Sequence, residues 1–183
     1  MEWLHYGEQP VAPLRRTRNG SIVAAIDTFR PLPVHEHSEM LHDALMHAVN
    51  RVLIISPWIT RAVVDEKFLR DLRDRLEEGV VVHIGYGIGQ EPNRDGVAES
   101  SLVALSKRYT NFTFTYLGNT HAKILIKDSD WYVITSFNWL SFRGDPNRTF
   151  REEWGMFVSD NDLVESFHKE IVGRFNRAGT RTV

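Results

Sequence analysis

Two short apolar runs, Val52 to Ser56 and Val80 to Ile84, constrain this chain more than any other feature. Neither shows regular apolar–polar alternation, which is the pattern of strands buried on both faces. Stretches with helical spacing flank and separate them. Met40, Leu41, Ala44, Leu45, Ala48 and Val49 share one face of a helix that Ser38 is placed to cap. Val64, Phe68, Leu72 and Leu76 mark a second helix, with Thr60 as its cap and Gly79 as its stop. After a loop from Gly85 to Arg94, a third helix runs through Ala98, Leu102 and Leu105. Strands are expected at Phe112 to Tyr116, Ala122 to Ile126, Trp131 to Ile134 and Trp154 to Val158. A final amphipathic helix carries Leu163, Val164, Phe167, Ile171 and Phe175. Strands alternating with helices predict an α/β domain: a mixed, mostly parallel sheet with helices on both faces.

A chain of 183 residues is the size of one ordinary domain, able to bury a core without staples. Its first 35 residues contain Pro10, Pro13, Pro31 and Pro33 and a basic cluster at Arg15, Arg16 and Arg18. They read as an irregular extension or linker with one short strand between Ser21 and Ile26, and the domain is expected over 36–183. The absence of cysteine excludes disulfides, a thiol nucleophile and a thiolate metal site. It suits a reducing compartment, and the cytoplasm is the expected location. The N-terminus has neither the basic start nor the apolar run of a secretory signal, and Val52 to Ile59 is too short to cross a bilayer. No membrane association is expected. A formal net charge of -2 decides neither for nor against nucleic acid, because a local patch can bind phosphates on a neutral protein.

The chemistry is concentrated in Thr120-His121-Ala122-Lys123-Ile124-Leu125-Ile126-Lys127-Asp128 and, a few residues later, Thr135-Ser136-Phe137-Asn138. Residues two apart in a strand point the same way, so His121 and Lys123 project together while Ile124 and Ile126 enter the core. Ser136 and Asn138 share the same spacing. One imidazole, one ammonium, one hydroxyl and one amide then converge on a small anion. That set suits phosphoryl transfer: imidazole is a competent nucleophile near neutral pH. Lys123 and Asn138 offset the charge that grows on phosphate oxygens. No carboxylate cluster accompanies them, so neither a metal ion nor another cofactor is expected. Asp128 falls on the opposite parity from His121. It is expected to hold the turn and touch no phosphate.

This pattern, His121-x-Lys123-x4-Asp128 followed by a Ser136-x-Asn138 element, resembles the signature of the phospholipase D superfamily. Threonine 135 stands where that family usually has glycine. The strand and loop Ile54-Ile55-Ser56-Pro57-Trp58 and the terminal helix are also family-like, and the resemblance spans roughly residues 36–176. It implies a downstream glutamate that orients the nucleophilic histidine; Glu153 fits best by its place at a strand start, with Glu152 as fallback. It also implies two motifs per active site. This chain has one, so the resemblance implies a homodimer with a site across the two-fold axis.

Short single-motif bacterial relatives resemble nucleases, and several residues favour nucleic acid as partner. Arg143, Arg148 and Arg151 lie between the Ser-x-Asn element and Glu153, where they can bind flanking phosphates. Trp58, Trp139 and Phe142 can stack on bases. The alternative places Trp139 and Phe142 in the core and the arginines in surface ion pairs. Two other functions stay open: hydrolysis of a phospholipid or small phosphodiester, and a non-catalytic dimerisation or nucleic-acid-tethering module. The segment from Ser136 to Arg148 also resembles nuclease domains attached to bacterial helicases or ATPases, which implies a chain that is one domain of a longer protein. Three other signals point elsewhere and are set aside. His35, His37, His42 and His47 match no zinc spacing. The Gly85-x-Gly87-x-Gly89 loop is interrupted by Pro92 and does not make a dinucleotide site. Asp71 to Glu78 reads as a solvated helix face, with Asp71 and Arg75 four residues apart.

Overall fold

The structure, a computed structural model, describes residues 14–16, 22–24, 28–88, 96–143 and 152–179. Two short strands, β1 (Leu14–Arg16) and β2 (Ile22–Ala24), pair antiparallel. The main sheet has seven strands. In chain order they are β3 (Phe29–Leu32), β4 (Arg51–Ser56), β5 (Val81–Tyr86), β6 (Phe112–Tyr116), β7 (Ile124–Lys127), β8 (Trp131–Thr135) and β9 (Gly155–Val158). In space the order is β3-β9-β8-β7-β4-β5-β6. Among the described residues four α-helices accompany them: α1 (His37–His47), α2 (Glu66–Glu77), α3 (Gly96–Arg108) and α4 (Asn161–Gly179).

The sheet is mixed, but not mostly parallel. Only β4–β5 and β5–β6 are parallel pairings; β3–β9, β9–β8, β8–β7 and β7–β4 are antiparallel. Connection length decides the difference. The parallel strands are separated by α2 and α3, which provide the long crossovers that parallel pairing needs. Three residues, Asp128 to Asp130, join β7 to β8, and a connection that short can only reverse the chain. The sheet also takes in β3, which lies ahead of residue 36.

Both faces of the central strands are covered, which explains their predominantly apolar runs. Val52 and Ile54 of β4, with Val82, Ile84, Leu125 and Val133, pack under α1, α2 and α3. Leu53 and Ile55, with Ile124 and Ile126, pack against Val164, Ile171 and Phe175 of α4. Each such side chain contributes about 1.5–3 kcal/mol by leaving water.

Several local expectations are corrected. Ser38 lies inside α1 rather than capping it, and Val49 is 74% exposed just beyond the helix. Thr60 begins a turn; the cap of α2 is Asp65, whose carboxylate accepts the Phe68 N–H at 2.9 Å. Asp71 is buried and pairs with Lys67 at 2.6 Å, while Arg75 turns to Glu78, so this is not a wholly solvated face. Leu163 is largely exposed on α4. β7 starts at Ile124, two residues later than expected, which leaves His121 and Lys123 on the segment leading into it.

That segment lies at one end of the sheet, where hydrogen bonds tie the loops together. Gly87 N–H donates to Pro57 O (3.1 Å), and Thr120 N–H donates to Gly87 O (2.9 Å). Thr60 N–H donates to Leu140 O (2.9 Å), Leu140 N–H to the Ser56 hydroxyl (3.2 Å), and Thr135 N–H to Lys123 O (3.1 Å). Gly87 is required here: its φ is +102°, and a Cβ would fall 2.0 Å from the Tyr116 ring.

Candidate active site

His121 is exposed at the mouth of this end and Lys123 is buried behind it. The Lys123 ammonium donates to the His121 carbonyl at 2.8 Å. It also lies 3.3 Å from His121 Nδ1 and 3.2 Å from Nε2. Near-equal distances to both ring nitrogens place the ammonium beside the imidazole as a charge rather than in one directed bond. Trp58 meets the His121 ring edge-to-face at 5.7 Å, and the ammonium sits 5.7 Å from the Trp58 ring, within cation–π range. The loop after β4 thus joins His121 and Lys123 in one cluster.

The second limb comes from the ends of β8 and β9. Ser136 Oγ–H donates to Glu153 Oε2 at 2.5 Å, and Trp154 N–H donates to Ser136 Oγ at 3.1 Å. Glu153 is 6% exposed, whereas Glu152 is on the surface and accepts the Trp154 indole N–H at 2.7 Å. Of the two carboxylates considered from sequence, Glu153 is the one turned inward. Asn138 is 4% exposed and begins a turn whose N–H groups, from Ser141 and Phe142, donate to its backbone carbonyl. Its buried side-chain oxygen has no hydrogen-bond partner among the described residues.

The remaining expected residues separate. Trp139 is 0% exposed and packs at 5.4 Å against both His37 and Phe137, so it cannot stack on a base. Phe142 packs on Phe137 at 5.4 Å. Arg143 donates to the Ala62 carbonyl and pairs with Asp65 at 2.7 Å, so its guanidinium braces the start of α2. Arg148 and Arg151 lie outside the described residues. Asp128 sits at the far end of β7, away from His121. Its carboxylate accepts the N–H groups of Val49 (2.9 Å), Asn50 (2.7 Å) and Arg51 (2.8 Å). Among the described residues, no group of three or more histidine, aspartate or glutamate side chains is arranged to hold a metal, and no helix is long and apolar enough to cross a membrane.

Sequence reasoning missed His37, the first residue of α1. It is fully buried, stacks on Phe137 at 4.7 Å and hydrogen-bonds Thr135 at 2.7 Å. A histidine next to a helix start, among three others, gave no periodic signal of burial.

The mixed sheet carries α4 on one face and α1, α2 and α3 on the other, with the His121–Lys123 cluster at one end. Neither a protein-family model nor a curated protein sequence matches the chain. Solved structures do match. One is Nuc from Salmonella typhimurium, described as a phospholipase D family member, with a TM-score of 0.58 and 18% identity over 81% of this chain and 93% of its own. NucT from Helicobacter pylori gives a TM-score of 0.59 and 16% identity over 82% and 96%. Phosphatidylserine synthase from Haemophilus influenzae Rd KW20 gives 0.60 and 12% over 86% of this chain but 37% of the synthase. TrmBL2, an archaeal chromatin protein with a described mode of DNA binding, gives 0.58 and 13% over 85% and 55%. The chain therefore spans about half of the chromatin protein and just over a third of the synthase. At these identities the likeness is one of fold.

Proposed function

We propose that this chain is a phosphodiesterase of the phospholipase D type, most consistent with a nuclease, and that His121 is its nucleophile. The observation that carries the reading is the gathering of His121, Lys123, Ser136, Asn138 and Glu153 at one end of the sheet, in the order the motif requires. In the first step a ring nitrogen of His121 bonds to phosphorus as the phosphorus–oxygen bond to the leaving group breaks. The leaving oxygen takes a proton from the His121 of a second copy of the chain. That second imidazole then removes a proton from water as the water oxygen attacks phosphorus. The phosphorus–nitrogen bond breaks, and free His121 and a phosphomonoester result. Lys123 and Asn138 stabilise charge on the non-bridging oxygens, and Glu153, held by Ser136, orients the imidazole.

One motif supplies one histidine, so the reading requires a homodimer whose two His121 rings face one phosphate. Trp58, half-exposed beside His121, is the remaining candidate for stacking on a base. Nucleic acid is favoured as substrate by the single-motif form of the chain. The fold shared with phosphatidylserine synthase supports a phospholipid alternative, and the fold shared with an archaeal DNA-binding protein supports a non-catalytic alternative. Attachment to a helicase or ATPase, and a cytoplasmic location, belong to the same proposal. No step in this mechanism calls for a metal ion.

The test is a parallel assay of labelled DNA, RNA and phosphatidylcholine in excess EDTA, with His121→Ala as control. Nucleic acid should be cut in chelator and the variant should be inactive. Loss of activity on chelation overturns the mechanism, and choline release with intact nucleic acid establishes the lipid reading. Binding of DNA without cleavage of any substrate establishes the non-catalytic one.

A further inference from the structure

Behind Ser136 and Glu153 lies a hydrogen-bonded chain that the mechanism above does not use. His37 Nδ1 is 3.0 Å from the Pro33 carbonyl and 3.3 Å from that of Val34. Carbonyls only accept, so Nδ1 carries a proton. Nε2 faces the Thr135 hydroxyl at 2.7 Å. That hydroxyl accepts the Phe137 N–H at 3.0 Å and lies 2.9 Å from the Trp154 carbonyl. It has one proton to donate, and two acceptors compete for it. With neutral His37 the proton goes to Nε2, and the Trp154 carbonyl is still served by the Ser136 N–H at 3.0 Å. With charged His37, Nε2–H donates to Thr135 and the threonine proton turns to Trp154.

Burial lowers the His37 pKa, while the nearby Pro33 and Val34 carbonyls and the charges of Glu153 and Glu36 pull it back up. Neutral His37 is thus the favoured form, with Nε2 as acceptor. The ring has room because residue 155 is glycine: a Cβ there would lie 3.0 Å from Nε2. Phe137 fixes the ring plane by stacking on it. Thr135 precedes Ser136 in sequence, and Trp154 follows Glu153. The two residues that the His37 chain clamps are therefore the immediate neighbours of the two whose side chains meet at 2.5 Å.

We propose that His37 and Thr135 are positioning residues that set the Ser136–Glu153 pair, and through it the orientation of His121. The inference rests on the reading of Glu153 as the carboxylate that orients the nucleophile. It also assigns a role to the threonine that stands where the related motif has glycine. A glycine at 135 could neither donate to His37 nor accept from Phe137.

The experiment compares Thr135→Val, which keeps the shape and deletes the hydroxyl, with Thr135→Ser, which restores it, and with His37→Phe, which keeps a ring on Phe137. Cleavage is measured as kcat and KM across pH, melting temperatures are recorded, and the ring nitrogens of His37 are observed by 15N NMR. Thr135→Val and His37→Phe should lower kcat by about tenfold or more, the scale expected when a catalytic group is slightly misplaced. KM should stay within about twofold, and the acid limb of the kcat profile should shift. Thr135→Ser should return both kcat and the profile to near wild type. In the wild type the NMR spectrum should show a protonated Nδ1 and a hydrogen-bonded Nε2, with the latter signal altered in Thr135→Val.

A folded Thr135→Val protein with wild-type kcat and pH profile overturns the inference, even if its melting temperature falls, because the contact is then merely structural. If His37→Phe fails to fold, the Thr135 pair decides alone. If the wild type cleaves nothing, or His121→Ala cleaves equally well, the functional reading fails instead. The NMR comparison then still tests whether Thr135 holds His37.

Discussion

At one end of β7 the Asp128 carboxylate accepts the N–H groups of Val49, Asn50 and Arg51, where the chain enters β4; at the other end His121 stands exposed over a buried ammonium. The two ends belong to one sequence motif, separated by a four-residue strand. Asp128 also takes a positive φ of 49° and accepts Arg51 Nε–H at its carbonyl, so its bonding capacity is spent on joining β7 to β4. A buried carboxylate with a full set of donors holds the fold. At the other end an exposed imidazole lies beside a buried ammonium, and its ring remains open to solvent. Membership of one motif therefore does not imply one environment, and burial and polar pairing distinguish the two ends.

The comparison breaks if the two ends respond alike to substitution. His121→Ala should reduce phosphodiester turnover at least about a thousandfold, with a melting temperature within about 1 °C of wild type by calorimetry. Lys123→Ala and Asn138→Ala should each lower kcat about a hundredfold, as removal of a donor to transition-state charge does. Near-normal rates would move them to the structural side. Asp128→Ala should do the reverse. Urea denaturation should show a loss of roughly 2 kcal/mol from three stranded N–H groups, while activity per folded molecule stays within about twofold.

A smaller effect sharpens the contrast from the α4 face. His83 and His168 each bury a ring nitrogen without a partner among the described residues. Burial lowers both, and with Arg51 and His83 nearby His168 falls to about 4. The unfolded chain, whose histidines titrate near 6.5, then binds protons that the folded chain refuses. Stability should be full above about pH 6.5 and decline as pH falls toward 4, by on the order of 1 kcal/mol from His168 after solvent screening. His168→Gln should flatten that decline in a pH series of melting curves. Activity per folded molecule should not change, since His168 lies near Arg51, at the Asp128 end of the sheet opposite His121.

The strands and helices were largely legible because their signal is local. The span Phe112–Tyr116 coincides with β6, and the apolar spacing through Ala98, Leu102 and Leu105 falls within α3. Errors arose where one-dimensional pattern is silent about neighbours. Trp139 and Arg143 follow Asn138 closely, and the sequence leaves each open between the site and, respectively, the core and a surface ion pair. In the structure the indole turns into the core and the guanidinium reaches Asp65. Asp71 looked solvated because its helix is highly charged, yet it lies on the side that α2 turns inward.

By itself the sequence determined the α/β class, the two buried strands, and the spacing that groups His121 with Lys123 and Ser136 with Asn138. These follow from periodicities of the backbone, which every residue carries with it. Only the tertiary structure decided that four of the six pairings in the main sheet are antiparallel, that Glu153 rather than Glu152 turns inward, and that His37 lies buried behind Thr135. Those outcomes depend on which segments meet across long stretches of chain. A local pattern can say which way a side chain points, but not what it will find there.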